Sequence, residues 1–198
     1  MHLGVLDMEL IKYKIKDLIT VIDERNNLGI KSFYGININK EFMPTAANTN
    51  GLDESKYKVV RKNTFVFSGM QTGRDECIRI ALHNKEKDII ISPAYTVLEM
   101  EDKTILPEYV MMWFSRKEID RLGAFLSDGS IRTNLDKDRF DEIEIPVPKL
   151  EIQKAIVKIY NAYNMRREIS QKLKTQIQKI CPILIKGSIE EALQIKEA

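Results

Sequence analysis

The chain has 198 residues, of which 43% are apolar and 30% charged, and its formal net charge is +2. That length suffices for one domain with its own core plus an appendage, and the composition is that of a soluble globular protein. No apolar run approaches the roughly 20 residues that span a bilayer. The opening "MHLGVLDMELIKYKIKDL" lacks a basic stretch followed by a long apolar one, so we expect no secretory signal, and Met8 is a candidate start. Cys77 and Cys181 are too few and too far apart for a disulfide framework or a zinc site, which points to a reducing, cytoplasmic setting. A charge this small, with Lys and Arg spread along the chain, is not the signature of a non-specific polyelectrolyte binder. Any nucleic-acid role must reside in a local patch.

In chain order, "KIKDLITVIDERNN" (14–27) carries Ile15, Leu18, Ile19 and Ile22 at helical spacing. "FYGININKEFM" (33–43) alternates like a strand, and "AANTNGLDES" (46–55) is a loop by its Asn, Gly and Asp content. "KVVRKNTFVFSGM", "CIRIAL" and "DIIISPAYTVLEME" (88–101) read as strands. The first two flank "SGMQTGRDE", a turn in which Gly69 and Gly73 supply the backbone freedom. Gln71, Thr72 and Arg74 add side chains able to read base edges, touch phosphates or sit in water. Arg74 is equally suited to pairing with Asp75 or Glu76. "ILPEYVMMWFSRKEIDRLGAF" places Pro107 at a first helical position and forms a core face from Val110, Met111, Phe114 and Leu122. "LSDGSIRTNLDKDRFDEIEIPVP" then reads as a polar loop, a short turn and a strand ending in two prolines.

After Pro148 no Gly or Pro occurs until Pro182. Apolar residues recur at Ile152, Ile156, Ile159 and Tyr163, then at Ile169, Leu173, Ile177, Ile180 and Leu184. Steps of four and three are coiled-coil spacing, broken once around Arg166. Residues 150–184 predict a rod of about 50 Å at 1.5 Å per residue. So long a stripe exceeds what one small domain covers, and it calls for a partner helix. The expected architecture is α+β: a mixed α/β domain over 1–149, a coiled-coil helix over 150–186 and a tail over 187–198.

Catalytic signatures are sparse. The nine glycines never fall as GxG, which removes dinucleotide fingerprints and P-loops, and His2 and His83 are the only histidines. One catalytic alternative survives, in which Asp88 and Glu101 hold Mg²⁺ and Lys103 assists a water, as in metal-dependent nucleases. A second alternative is a dimerising scaffold that never touches DNA.

The segment "GSIRTNLDKDRFDEIEIPVPKLEIQKAIVKIYNAY" resembles the end of a target-recognition domain joined to the spacer helix of a type I restriction-modification specificity subunit. Ile145, Pro146, Val147, Pro148, Leu150 and Gln153 match the family's proline-rich lead into its long helix. Lys149 replaces a second consecutive proline, and Ile152 the usual Glu. Upstream, "FVFSGMQTGRDECIRIAL", "IIISPAYTVLEM" and "ILPEYVMMWFSRKEIDRLGAFLSDGSIRTNL" resemble its strands, helix and loop, so the likeness runs from about Met8 to about Ile189.

The resemblance implies a non-catalytic DNA-recognition subunit working with modification (methyltransferase) subunits, which carry S-adenosylmethionine, and with a restriction/translocase subunit. A full specificity subunit resembles two such units in tandem, whereas this chain holds one of each. It therefore implies a homodimer, its two helices antiparallel, reading a bipartite palindromic target in double-stranded DNA, with a second half-subunit on another chain as the alternative partner. Readers are expected on loops: Gln71, Thr72 and Arg74 in one, Asn48, Thr49 and Asn50 in a second, Ser130 and Arg132 in a third. The expected dimer seam is Ile152, Ile156, Ile159, Tyr163, Ile169, Leu173, Ile177 and Ile180. The other face, with Lys154, Lys158, Arg167, Lys172 and Lys174, is left for solvent or for modification subunits.

Overall fold

Every residue of strand β6 (Thr64–Ser68) is buried, because both faces of its sheet are covered. The structure is a computed structural model describing residues 10–45, 49, 51–129 and 131–197, with side chains to residue 189. The chain divides into two compact units, residues 1–155 and 156–198.

Within the first unit, β1 (Ile11–Lys14) leads through a 3-10 turn into β2 (Ile19–Ile22). A hairpin follows, β3 (Phe33–Ile36) and β4 (Phe42–Pro44), then β5 (Lys58–Val60) and β6. A single helical turn, α1 (Thr72–Asp75), separates β6 from β7 (Arg79–His83), and β8 (Ile89–Ile91) and β9 (Thr96–Met100) come next. Helices α2 (Pro107–Phe114), α3 (Lys117–Leu126) and α4 (Lys137–Asp141) precede β10 (Glu144–Val147). Two four-stranded sheets result, ordered β2-β9-β6-β7 and β4-β3-β8-β5, with a two-stranded ladder β1-β10.

The pleat's two-residue period explains the layering. Val66, Ala81 and Val97 from the first sheet meet Ile36, Val60, Ile89 and Ile91 from the second, forming the inter-sheet core. Phe67 points from β6 to the opposite side, where its ring stacks on Phe140 of α4 at 4.0 Å, and Phe140 stacks on Phe114 of α2 at 5.5 Å. The α+β expectation for this unit holds.

Four local expectations are corrected. Residues 14–27 do not form an α-helix: after the 3-10 turn at Ile15–Asp17, β2 pairs with β9, so a sheet partner overrides the apolar spacing in a stretch rich in β-branched residues. Residues 88–101 form two strands in different sheets, split where Ser92 turns the chain (Tyr95 N–H to the Ser92 carbonyl, 3.1 Å). Residues 33–43 make a hairpin, its turn closed by the Asn37 N–H donating to the Glu41 carbonyl at 3.0 Å. The helix from Pro107 breaks at Ser115–Arg116, and in the second half Ile119 rather than Leu122 is buried.

Helix α5 spans Leu150–Glu197, 48 residues and about 72 Å. It runs on past Pro182, beyond the expected end near residue 186. Its root is fastened within the first unit by Gln153. That side chain is 2% exposed; its Oε1 accepts from the Leu106 N–H at 2.9 Å and its Nε2 donates to the Pro148 carbonyl at 2.9 Å.

Candidate nucleic-acid interface

The loop after β6 and the loop after α3 are stitched into one surface. The Leu135 N–H donates to the Gly69 carbonyl (2.8 Å), the Gly73 N–H to the Thr133 carbonyl (2.9 Å), and the Gln71 N–H to Asn134 Oδ1 (2.9 Å). Asn134 also closes its own loop, its carbonyl accepting from the Asp128 N–H and its N–H donating to Asp128 Oδ1, each at 2.9 Å. The stitch requires close backbone approach. A Cβ on Gly69 would lie 1.9 Å from the Leu135 carbonyl oxygen, and one on Gly73 would lie 2.9 Å from Thr133 Cβ. Left-handed backbone at Gln71 (φ 60°), Glu76 (φ 47°) and Thr133 (φ 46°) turns the chain around α1. For β-branched Thr133 that conformation is an outlier, held by the bonds on either side.

Gln71 and Arg74 present their side chains together. Arg74, 58% exposed at its side chain, donates from Nη2 to Gln71 Oε1 at 2.6 Å and from Nε to Asp75 Oδ1 at 2.9 Å. Asp75 also accepts from Arg79. The hydrogen bond from Arg74, followed by that from Arg79, holds the Asp75 carboxyl below the ordinary carboxylate range. The guanidinium is thus oriented by two neighbours while its outer face meets solvent.

Thr72 is corrected as a reader: it is fully buried, its hydroxyl donating to the Gly69 carbonyl at 3.1 Å. Arg132 is exposed on the stitched loop, and Ser130 lies outside the described residues. The loop of Asn48, Thr49 and Asn50 does not join this stitch among the described bonds. It leaves the β3–β4 hairpin at the open end, opposite the turn whose Ile38 carbonyl accepts from the buried Cys77 thiol. Thr49 accepts there from the Leu52 N–H, while Asn48 and Asn50 lie outside the described residues.

Two residues beyond the expected set organise the surface. Asn134 is one; in the sequence it was a single polar residue in a polar loop, with nothing to mark its reach to Gln71. Asp120 of α3 is the other. Its Oδ1 accepts from Lys40 Nζ at 2.5 Å and from the Ile78 N–H at 3.0 Å, and Lys40 Nζ also donates to the Phe114 carbonyl at 2.7 Å. This half-buried pair ties the hairpin turn to α3 and to the strand leaving α1.

The nuclease residues form no comparable constellation. Asp88 is held by Arg61 at 3.0 Å, and among the described residues no three His, Cys, Asp or Glu groups gather to hold a metal ion. No described helix is long and apolar enough to cross a membrane.

The profile of the type I restriction modification DNA specificity domain matches residues 8–179. This chain belongs to that family. Among solved structures, it resembles a chain described under complex assembly and conformational transition of the type I R-M system: 14% identity, TM-score 0.56, covering 89% of this chain and 44% of that one. It is also similar to the type I restriction-modification S subunit from M. genitalium, with 15% identity, TM-score 0.57 and coverage of 85% and 42%. The chain thus spans less than half the length of these structures. No curated protein matches it.

Proposed function

We propose that this chain is the sequence-reading, non-catalytic subunit of a cytoplasmic type I adenine-methyltransferase complex. It positions modification subunits, which carry S-adenosylmethionine, on a bipartite DNA site, and a restriction/translocase subunit joins the same assembly. The observation that carries the reading is the stitched surface, on which Gln71, Arg74 and Arg132 project from a rigid frame. Gln and Arg are the residue types that bond adenine and guanine edges bidentately in the major groove. In this reading Gln71 and Arg74 exchange their mutual hydrogen bond for base edges on binding. The exposed α5 face supports a homodimer reading a palindromic split target.

The test is to co-express the chain with its modification subunits and sequence the methylated adenines. A split motif with inverted-repeat halves is expected; a contiguous asymmetric motif overturns the homodimer, and no sequence-dependent methylation overturns the recognition role. Replacing Gln71 with Ala should cost about 1–3 kcal/mol on the cognate site and leave random DNA unaffected, measured by titration at fixed salt. Equal losses on both would make Gln71 a backbone contact.

A further inference from the structure

The positive charge of this chain is segregated onto one element. Between Ile152 and Ile189 eight Lys or Arg stand against one acid, Glu168, a net charge of +7, while the remaining residues carry −5 and bring the chain to +2. The two units also treat their cations differently. In the first, many Lys and Arg are neutralised in place by carboxylates, as with Lys14 on Glu142, Arg61 on Glu24 and Asp88, and Lys62 on Glu86. On α5, Lys158, Lys172 and Lys179 are exposed and have no ion-pair partner among the described residues, although Glu168 stands one turn from Lys172.

These three belong to a row. Lys158, Lys172, Lys179 and Lys186 are spaced by multiples of seven residues, with Met165 in the one remaining place. The apolar stripe has the same period, so the row keeps to the other side of the helix along its length. Successive places lie about 10 Å apart, and the row runs about 42 Å. A solvated face on a long helix is ordinarily laced with Glu and Lys one turn apart. No acid stands one turn from Lys158 or Lys179; Lys154 and Asn161 flank the first, Thr175 and Gln176 the second.

Resting on the DNA-recognition reading, we propose that this lysine row is a sequence-independent contact for the phosphate backbone of the duplex whose bases the first unit reads. Protein partners are gripped by aromatic and Arg anchors in desolvated pockets, and the row holds neither. Evenly repeated point cations suit a uniform line of phosphates, each contact releasing a condensed counterion. Asn161 and Gln176 beside the row are of the types that bond phosphate oxygens. The labour is thereby divided: base edges fall to the first unit, and salt-dependent affinity to the helix. The row is also the local basic patch that so small a net charge requires of a nucleic-acid binder.

The test uses the full chain assembled with its modification subunits, and fluorescence anisotropy over a salt series on a random duplex and on one carrying the methylated motif. Lys158→Gln, Lys172→Gln and Lys179→Gln together should weaken binding to both duplexes by the same factor. The slope of log K against log salt should fall in magnitude by about 2.7, at about 0.9 per phosphate contact. Lys12→Gln, Lys56→Gln and Lys62→Gln together remove the same charge from exposed, ion-paired sites of the first unit, and should leave the slope unchanged. An unchanged slope in the helix variant, or an equal fall in both variants, overturns the proposal. Loss of the modification subunits from the helix variant on size-exclusion chromatography also overturns it, and assigns the row to an acidic protein surface. A wild-type complex with no preference for the motif overturns the recognition reading itself, whatever the slope.

Discussion

At the scale of single residues, the candidate interface is governed by how closely two loops approach. Gly69→Ala places a methyl group 1.9 Å from the Leu135 carbonyl oxygen, so the backbone must part and the Gly69–Leu135 bond weakens. We expect a loss of roughly 2–3 kcal/mol in a urea melt, against less than about 0.5 kcal/mol for Gly129→Ala, where a Cβ meets nothing within 4 Å. Asp120→Ala would strand Lys40, only 7% exposed at its side chain, without its counter-ion; we expect a cost of about 3 kcal/mol, partly recovered by Lys40→Met with Asp120→Leu in a double-mutant cycle. The roles of Gly69 and Gly73 as holders of loop shape were legible in the sequence, because glycines at a strand-to-strand connection have few other uses. The burial of Thr72 was not legible, since a short polar side chain looks the same whether it faces water or closes a turn.

Among elements, the segments beside the β1–β10 ladder, the 3-10 turn after β1 and the end of α4, carry the clearest pH dependence. Lys14 and Lys16 each donate to Glu142 at 2.6 Å, and these hydrogen bonds lower its pKa to about 2. A carboxyl depressed in the folded state contributes stability above its unfolded value near 4.5, and that contribution is lost as pH falls from there toward 2. Glu142→Gln should therefore flatten the fall in stability between these pH values, and added salt should shrink the difference, because all three side chains are well exposed. Elements whose partners lie nearby in sequence were read well, as with β6, β7 and α5. The strands β1 and β2 were missed because β10 and β9, which select their conformation, lie far along the chain. Gln153 could be matched to a family position from sequence, but its role as a buried brace needed Leu106 and Pro148 beside it. Gln153→Leu, which leaves the Leu106 N–H without its acceptor, should cost about 1–3 kcal/mol by thermal melt.

Over the whole molecule, the two units respond to different variables. Trp113, the only tryptophan, belongs to the first unit, where the Arg116 guanidinium lies 4.3 Å over its ring, and it reports that unit's melting. Most of the 48-residue helix lies in the second unit, and from Ile159 to Leu184 its apolar stripe is exposed among the described residues. A long helix lacking tertiary contacts is stabilised chiefly by association. The helical signal in circular dichroism should accordingly melt at a temperature that rises with protein concentration, while tryptophan fluorescence melts independently of it. Coincident, concentration-independent transitions would contradict the uncovered stripe's role. The stripe itself was legible because heptad spacing needs no tertiary information. The two-sheet core was legible only as a set of strands, since sequence does not state which strands share a sheet.

The bonds between the two loops have a consequence for how such a protein changes its target over generations. Two of the three use only main-chain atoms, Gly69 with Leu135 and Gly73 with Thr133, and the third spends one side chain, Asn134. Exposed positions such as 70, 74 and 132 can therefore be exchanged while the loop keeps its shape. On the proposed reading, the vocabulary is separable from the grammar, and a new specificity lies a few substitutions away without refolding the domain that displays it.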